Sequence, residues 1–137
     1  MLVGQWTYRS FVNTPALVGG DAQAALALIF GEGVFDFTVD GDGAVDGRLD
    51  MGAGYALTIS GEEKAEGGFA LIGLGIAGTA TEGWRYDYHG RPGCVWPDGI
   101  DQVPSLLGTV VRVLAHGPKS PAGVTASFVA VRQAAAK

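Results

Sequence analysis

The sequence predicts an all-β fold: a single antiparallel up-and-down β-barrel of about eight strands. Three observations carry this. Glycine supplies 23 of the 137 residues, more than twice the usual share of about 7 %, and with 6 prolines it interrupts nearly every window long enough for a helix. Hydrophobic residues still reach 47 %, enough for a packed core. Short aromatic and β-branched runs recur between turn signals, the pattern of an all-β chain. The length suits one domain, read here as residues 1–137.

The elements follow in order. Residues 5–12 carry Trp6, Thr7, Tyr8, Phe11 and Val12 and form the first strand. Thr14-Pro15 and Gly19-Gly20-Asp21 end it. Asp21 caps a short helical turn over 22–25, since its carboxylate accepts from the free amides of a helix start. Residues 27–30 and 33–39 form a strand bent at Gly31-Glu32-Gly33, with Phe35, Phe37 and Val39 on one face and Asp36, Thr38 and Asp40 on the other. Asp40-Gly41-Asp42-Gly43 signals a two-residue hairpin turn, because Asp-Gly tolerates the positive φ it needs. Residues 44–51 return, 54–60 follow, and 61–64 form a charged tip. The glycine-bearing stretch 68–80 reads as a strongly coiled strand and the aromatic stretch 82–89 as its neighbour. Residues 90–104 are a long connection rich in proline and glycine, a length associated with lids and binding loops. Residues 106–115 and 124–133 are the final strands, giving eight or nine in all. So many sequential strands must hide their edges, and the short loops favour a meander closed into a barrel. No repeat of 20–50 residues is present, which excludes propellers and solenoids.

Charge and motifs exclude several function classes. Nine Lys and Arg stand against 14 Asp and Glu, a net charge of -5, and no basic stripe alternates with aromatics, so no nucleic-acid partner is expected. No apolar run reaches the roughly 18 residues of a spanning helix, and no membrane partner is expected. The first ten residues show no basic segment followed by an apolar one, which points to a cytoplasmic protein. One cysteine, Cys94, and two histidines predict no metal site. The Asp40–Asp46 stretch lacks the glutamate of a calcium loop and follows a strand rather than a helix. Nucleophile-elbow, zinc-protease, phosphate-loop and dinucleotide motifs are absent, so no cofactor is expected.

Gly4-Gln5-Trp6 opens the first strand and Arg132 lies near the end of the last. This pairing resembles the calycin superfamily of lipocalins, fatty-acid-binding proteins and avidin-like barrels. There a Gly-x-Trp on the first strand packs against an Arg or Lys near the last and seals one end. The resemblance implies that Trp6 and Arg132 form a barrel-closing pair, a cation over an indole face. The chain shows neither the C-terminal helix nor the mid-chain Thr-Asp-Tyr-like motif of lipocalins, nor the biotin-binding polar set of avidins, so the resemblance names no ligand.

The densest chemical segment runs from Trp84 to His89. On a strand, Trp84, Tyr86 and Tyr88 share one face and Arg85, Asp87 and His89 the other. Either the aromatics line the interior, or the charged trio does and moves protons, with Asp87 orienting His89. Burying three ionisable groups costs more unless each is paired, which favours the aromatics inside. Asp36, between Phe35 and Phe37, is a second candidate base if it faces inward. Trp96 in the long connection is either part of a lid over the barrel mouth or packed on a structural Ω-loop, and His116 is read as a solvated loop residue. The expected function is therefore binding of a small, largely apolar, aromatic or polyketide-like molecule inside the barrel. Its predicted walls are Tyr8, Phe35, Phe37, Trp84, Tyr86, Tyr88 and Trp96. The alternative is a cofactor-independent isomerase, cyclase or hydratase using Asp36, Arg85, Asp87 or His89. A homo-oligomer is compatible with both.

Overall fold

Each strand pairs with the next in sequence, and the first pairs with the last. The computed structural model describes residues 2–134. Its strands are β1 (Gly4–Val12), β2 (Ile29–Val39), β3 (Ala44–Asp50), β4 (Ala56–Glu63), β5 (Phe69–Gly75), β6 (Arg85–Pro92), β7 (Ser105–Arg112) and β8 (Thr125–Arg132). All neighbours run antiparallel and the sheet closes as a barrel in the order β1 to β8. Two short helices, α1 (Pro15–Val18) and α2 (Ala22–Leu26), join β1 to β2. This is the predicted all-β up-and-down barrel with eight strands.

Local differences from the sequence reading have local causes. Gly31-Glu32-Gly33 does not bend a strand apart: these residues pair in sequence with Ser10, Arg9 and Tyr8, so β2 is continuous. The charged tip is the end of β4, where Gly61, Glu62 and Glu63 pair with Leu71, Ala70 and Phe69. The β2–β3 turn spans four residues rather than two. Only Gly43 among them has positive φ, at 84°, and its N–H donates to Asp40 O at 3.2 Å. Asp40 Oδ1 accepts from Asp42 N and Ala44 N at 2.8 and 3.0 Å. The turn is set by that carboxylate and one left-handed glycine. Asp21 accepts from Gln23 N and caps α2. The unforeseen α1 starts at Pro15, whose fixed φ suits a first helical position.

Alternation along the strands turns one face of each inward. Trp6 and Tyr8 of β1, Phe35 and Phe37 of β2, Leu49 of β3, Leu57 of β4, Leu71 of β5, Tyr88 of β6, Val110 of β7 and Phe128 of β8 are all buried in one core.

One end of the barrel is sealed. Trp6 is 1 % exposed and its Nε1–H donates to Leu2 O at 2.8 Å. Trp6 sits in register opposite Arg132 across the β1–β8 seam, whose guanidinium carbon lies 5.5 Å from the indole centroid. Gly4 makes this possible. Its φ is +117°, and a Cβ there would stand 3.0 Å from Arg132 Nη2, so the glycine leaves room for the cation. Trp6→Ala is expected to cost about 3–5 kcal/mol by removing a fully buried ring. Arg132→Ala is expected to cost about 1 kcal/mol, since the cation remains largely solvated. Chemical denaturation of both variants checks this, and equal small losses would contradict the plug.

Candidate functional site

The connections of a meander alternate between the two ends of the barrel. Those after β2, β4 and β6 gather at the end sealed by Trp6 and Arg132. Those after β1, β3, β5 and β7 gather at the other. A cavity of about 450 Å³ opens at that second end, within the range of small-molecule sites.

Its walls come from several elements. The start of β2 contributes Phe30. The end of β3 and the residues after it contribute Leu49 and Met51. Tyr55 and Leu57 flank the start of β4, Trp84 precedes β6, and Tyr86 and Tyr88 are the inward residues of β6. Arg112 ends β7, and His116 and Ser120 come from the β7–β8 connection. Tyr8 lies deeper, edge-on to Phe35 with centroids 4.9 Å apart. Phe35 in turn stacks on Phe37 at 4.8 Å. These rings form a packed column between the cavity floor and the Trp6 plug.

Three polar side chains are linked along one wall. Arg112 Nε–H donates to Tyr86 Oη at 2.9 Å. Tyr86 Oη and His116 Nε2 are 2.5 Å apart. The guanidinium cannot accept, so Tyr86 Oη is the acceptor from Arg112, and the His116 tautomer sets which way the Tyr86–His116 bond runs. Trp84 stacks on the imidazole, centroids 3.9 Å apart and planes 14° from parallel. His116 N–H donates to Ser120 O at 3.0 Å, tying down the loop. Burial, and then the nearby Arg112 charge, hold the His116 imidazole below its ordinary range, consistent with the neutral form. Burial likewise pushes the phenols of Tyr8 and Tyr88 up, so both remain uncharged hydroxyls.

Of the expected ligand-lining residues, Tyr8, Trp84, Tyr86 and Tyr88 line this cavity. Phe35 and Phe37 point inward but belong to the packed column beneath it, each 1 % exposed. Trp96 is corrected outright. It is 74 % exposed in the β6–β7 connection, which meets the sealed end where Arg132 N–H donates to Pro104 O at 3.0 Å. Strand parity puts that connection at the opposite end from the cavity, so it is no lid. The candidate proton-transfer residues lie on the outer face. Arg85 and Asp87 form a two-pronged ion pair, Nε–Oδ1 3.0 Å and Nη2–Oδ2 3.2 Å. His89 is exposed. Asp36 is also exposed, with Gln5 Nε2 at 3.4 Å from its Oδ2. In each case the strand's alternation commits the large apolar neighbours to the interior.

Sequence reasoning missed Arg112 and misjudged His116, which is half-buried rather than solvated. Arg112 carries a usable signal, since it shares strand parity with Leu106 and Val110. Nothing local marks His116; a fold-back of its loop brings it to Tyr86.

Fold and cavity together define a class: an eight-stranded up-and-down barrel, plugged at one end and hollow with aromatic walls at the other. Comparison with protein-family models, curated proteins and solved structures finds no match to the chain. Among the described residues, no group of three His, Cys, Asp or Glu side chains is placed to hold a metal ion. No helix of the described residues is long and apolar enough to cross a membrane.

The histidine generates a pH dependence. Its folded-state pKa lies below its unfolded value of about 6.5. The stability it contributes is therefore complete above that pH and is lost as pH falls through the folded value. Thermal unfolding of the wild type should weaken from about pH 6.5 downward relative to His116→Phe. Parallel curves for the two proteins would contradict the neutral assignment.

Proposed function

We propose that this barrel binds a small, largely apolar aromatic molecule in the cavity at its unplugged end. The observation that carries the reading is that cavity, about 450 Å³ and walled by Phe30, Tyr55, Trp84 and Tyr86. An eight-stranded barrel has an interior just wide enough to be filled by side chains or to hold one ligand. Here one half is filled and the other is not. The Gly4, Trp6 and Arg132 seal supports grouping the chain with calycin-type barrels, which close one end in this manner. A cytoplasmic location and a homo-oligomeric state belong to the same proposal.

The catalytic alternative relied on an inward Asp36 or an inward Arg85, Asp87 and His89. With those side chains on the solvent face, binding is the better-supported reading.

The neutral fluorophore N-phenyl-1-naphthylamine tests it. Its emission should rise on mixing with the protein, and the melting temperature should climb with its concentration. At a hundredfold excess over Kd the stabilisation is about 2.7 kcal/mol. Leu57→Trp, which places an indole in the cavity, should abolish the enhancement while circular dichroism shows an intact barrel. No enhancement in the wild type, or undiminished enhancement in the variant, would overturn the proposal.

A further inference from the structure

The cavity contains a cation that, among the described residues, no carboxylate pairs with. Arg112 closes the inward row of β7 behind Leu106 and Val110 and is half-buried. Its guanidinium carbon lies 4.9 Å from the Phe30 centroid and 5.6 Å from that of Tyr86. Its hydrogen-bond partners are both neutral: Tyr86 Oη through Nε–H and Pro121 O through Nη1–H, the latter at 3.3 Å. A guanidinium has five N–H donors in a rigid fork, so two bonds leave most of its donor capacity unspent. The ion pair among the described residues joins Arg85 to Asp87 on the outer face, away from Arg112.

The other polar groups of the cavity do not neutralise it. Tyr86 Oη and His116 Nε2 are taken up by their mutual hydrogen bond. Tyr8 and Tyr88 are buried phenols. Among the described residues, Glu32 is the one acidic residue lining the cavity, and it is exposed at the rim. In a chain of net charge -5, the hollow end of the barrel thus sets an arginine outside any ion pair of the described residues against aromatic walls. A charge held in an apolar setting favours a counter-charge strongly.

We propose that the ligand is an aromatic anion, a flat ring system bearing one carboxylate or acidic enol oxygen, and that Arg112 is the residue that selects it. This rests on the cavity being a binding site at all. In this arrangement the ring lies against Trp84, Phe30 and Tyr55, and the anionic oxygen accepts from the spare N–H groups of Arg112. Tyr86 and His116 act as a positioning pair: they hold the fork by Nε and supply no competing negative charge. Arg112 also tethers the β7–β8 connection through Pro121, a structural role that would leave ligand preference untouched, and the test separates the two.

The probes are 2-naphthoate and its neutral analogue 2-naphthamide, titrated by calorimetry against the wild type, Arg112→Met and Arg112→Lys. The wild type should bind naphthoate about tenfold or more tightly than the amide, the scale of a hydrogen bond to a charged group. Arg112→Met should lose that preference yet keep its affinity for the amide. Arg112→Lys should keep part of the preference. If Arg112→Met does not fold, the wild type decides alone, since the naphthoate preference should shrink as ionic strength rises while amide binding stays constant. Equal affinities in the wild type, or a preference that survives Arg112→Met, would overturn the anion proposal and leave binding standing. Failure of both probes to bind would overturn the binding reading and this one with it.

Discussion

Pairing of β1 with β8 converts a run of hairpins into a closed wall, and the residues at that seam decide what the interior can become. The pairing joins residues more than a hundred positions apart, Trp6 with Arg132 among them. Every other strand pair is sequential, so this seam is the one contact whose loop-closure cost the remaining hairpins do not already cover. Without it, β1 and β8 would be two exposed edges. The indole at the seam matters as much as the backbone pairing. It fills one end of the barrel, so any hollow must lie at the other.

From that asymmetry the rest of the site follows. Rings stacked above the plug, Phe37, then Phe35, then Tyr8 and Tyr88, fill the lower interior with edge-to-face and offset contacts. The column stops where the inward row of β6 reaches Tyr86 and that of β7 reaches Arg112, directly opposite each other in register. A polar cross-strand pair at this level cannot continue an apolar core. It needs partners, and His116 and the Pro121 carbonyl provide them from a loop that folds over the rim. The polar chain is therefore a consequence of where the hydrophobic packing ends. It also leaves that end of the barrel with a charge and a space together.

Much of the fold was legible because most of it depends on short-range signals and the long-range seam carries a resemblance of its own. The composition, the period-two alternation around Phe35 and Phe37, and the seam residues Gly4, Trp6 and Arg132 all led to the closed eight-stranded barrel. The site was legible only in part. Trp84, Tyr86 and Tyr88 were found because they alternate with three ionisable residues whose burial costs more than that of the aromatics. Trp96 was misplaced because an uncertain count of eight or nine strands leaves loop parity undefined, and parity alone decides which end a connection serves. Arg112 was overlooked because Leu106 and Val110 on one face and Leu107 and Val111 on the other make both faces of β7 look apolar. His116 reaches Tyr86 across 30 residues through a loop conformation that no local pattern announces.

The three tryptophans mark three regions: Trp6 the plug, Trp84 the cavity wall and Trp96 the outer connection at the plugged end. Fluorine NMR of the full chain labelled with 5-fluorotryptophan, assigned by single Trp→Phe variants, reports on all three at once. Titration with whichever naphthalene probe binds more tightly should move the Trp84 resonance and leave those of Trp6 and Trp96 in place. A shift at Trp96 with Trp84 unmoved would put the ligand at the wrong end of the barrel and contradict the account.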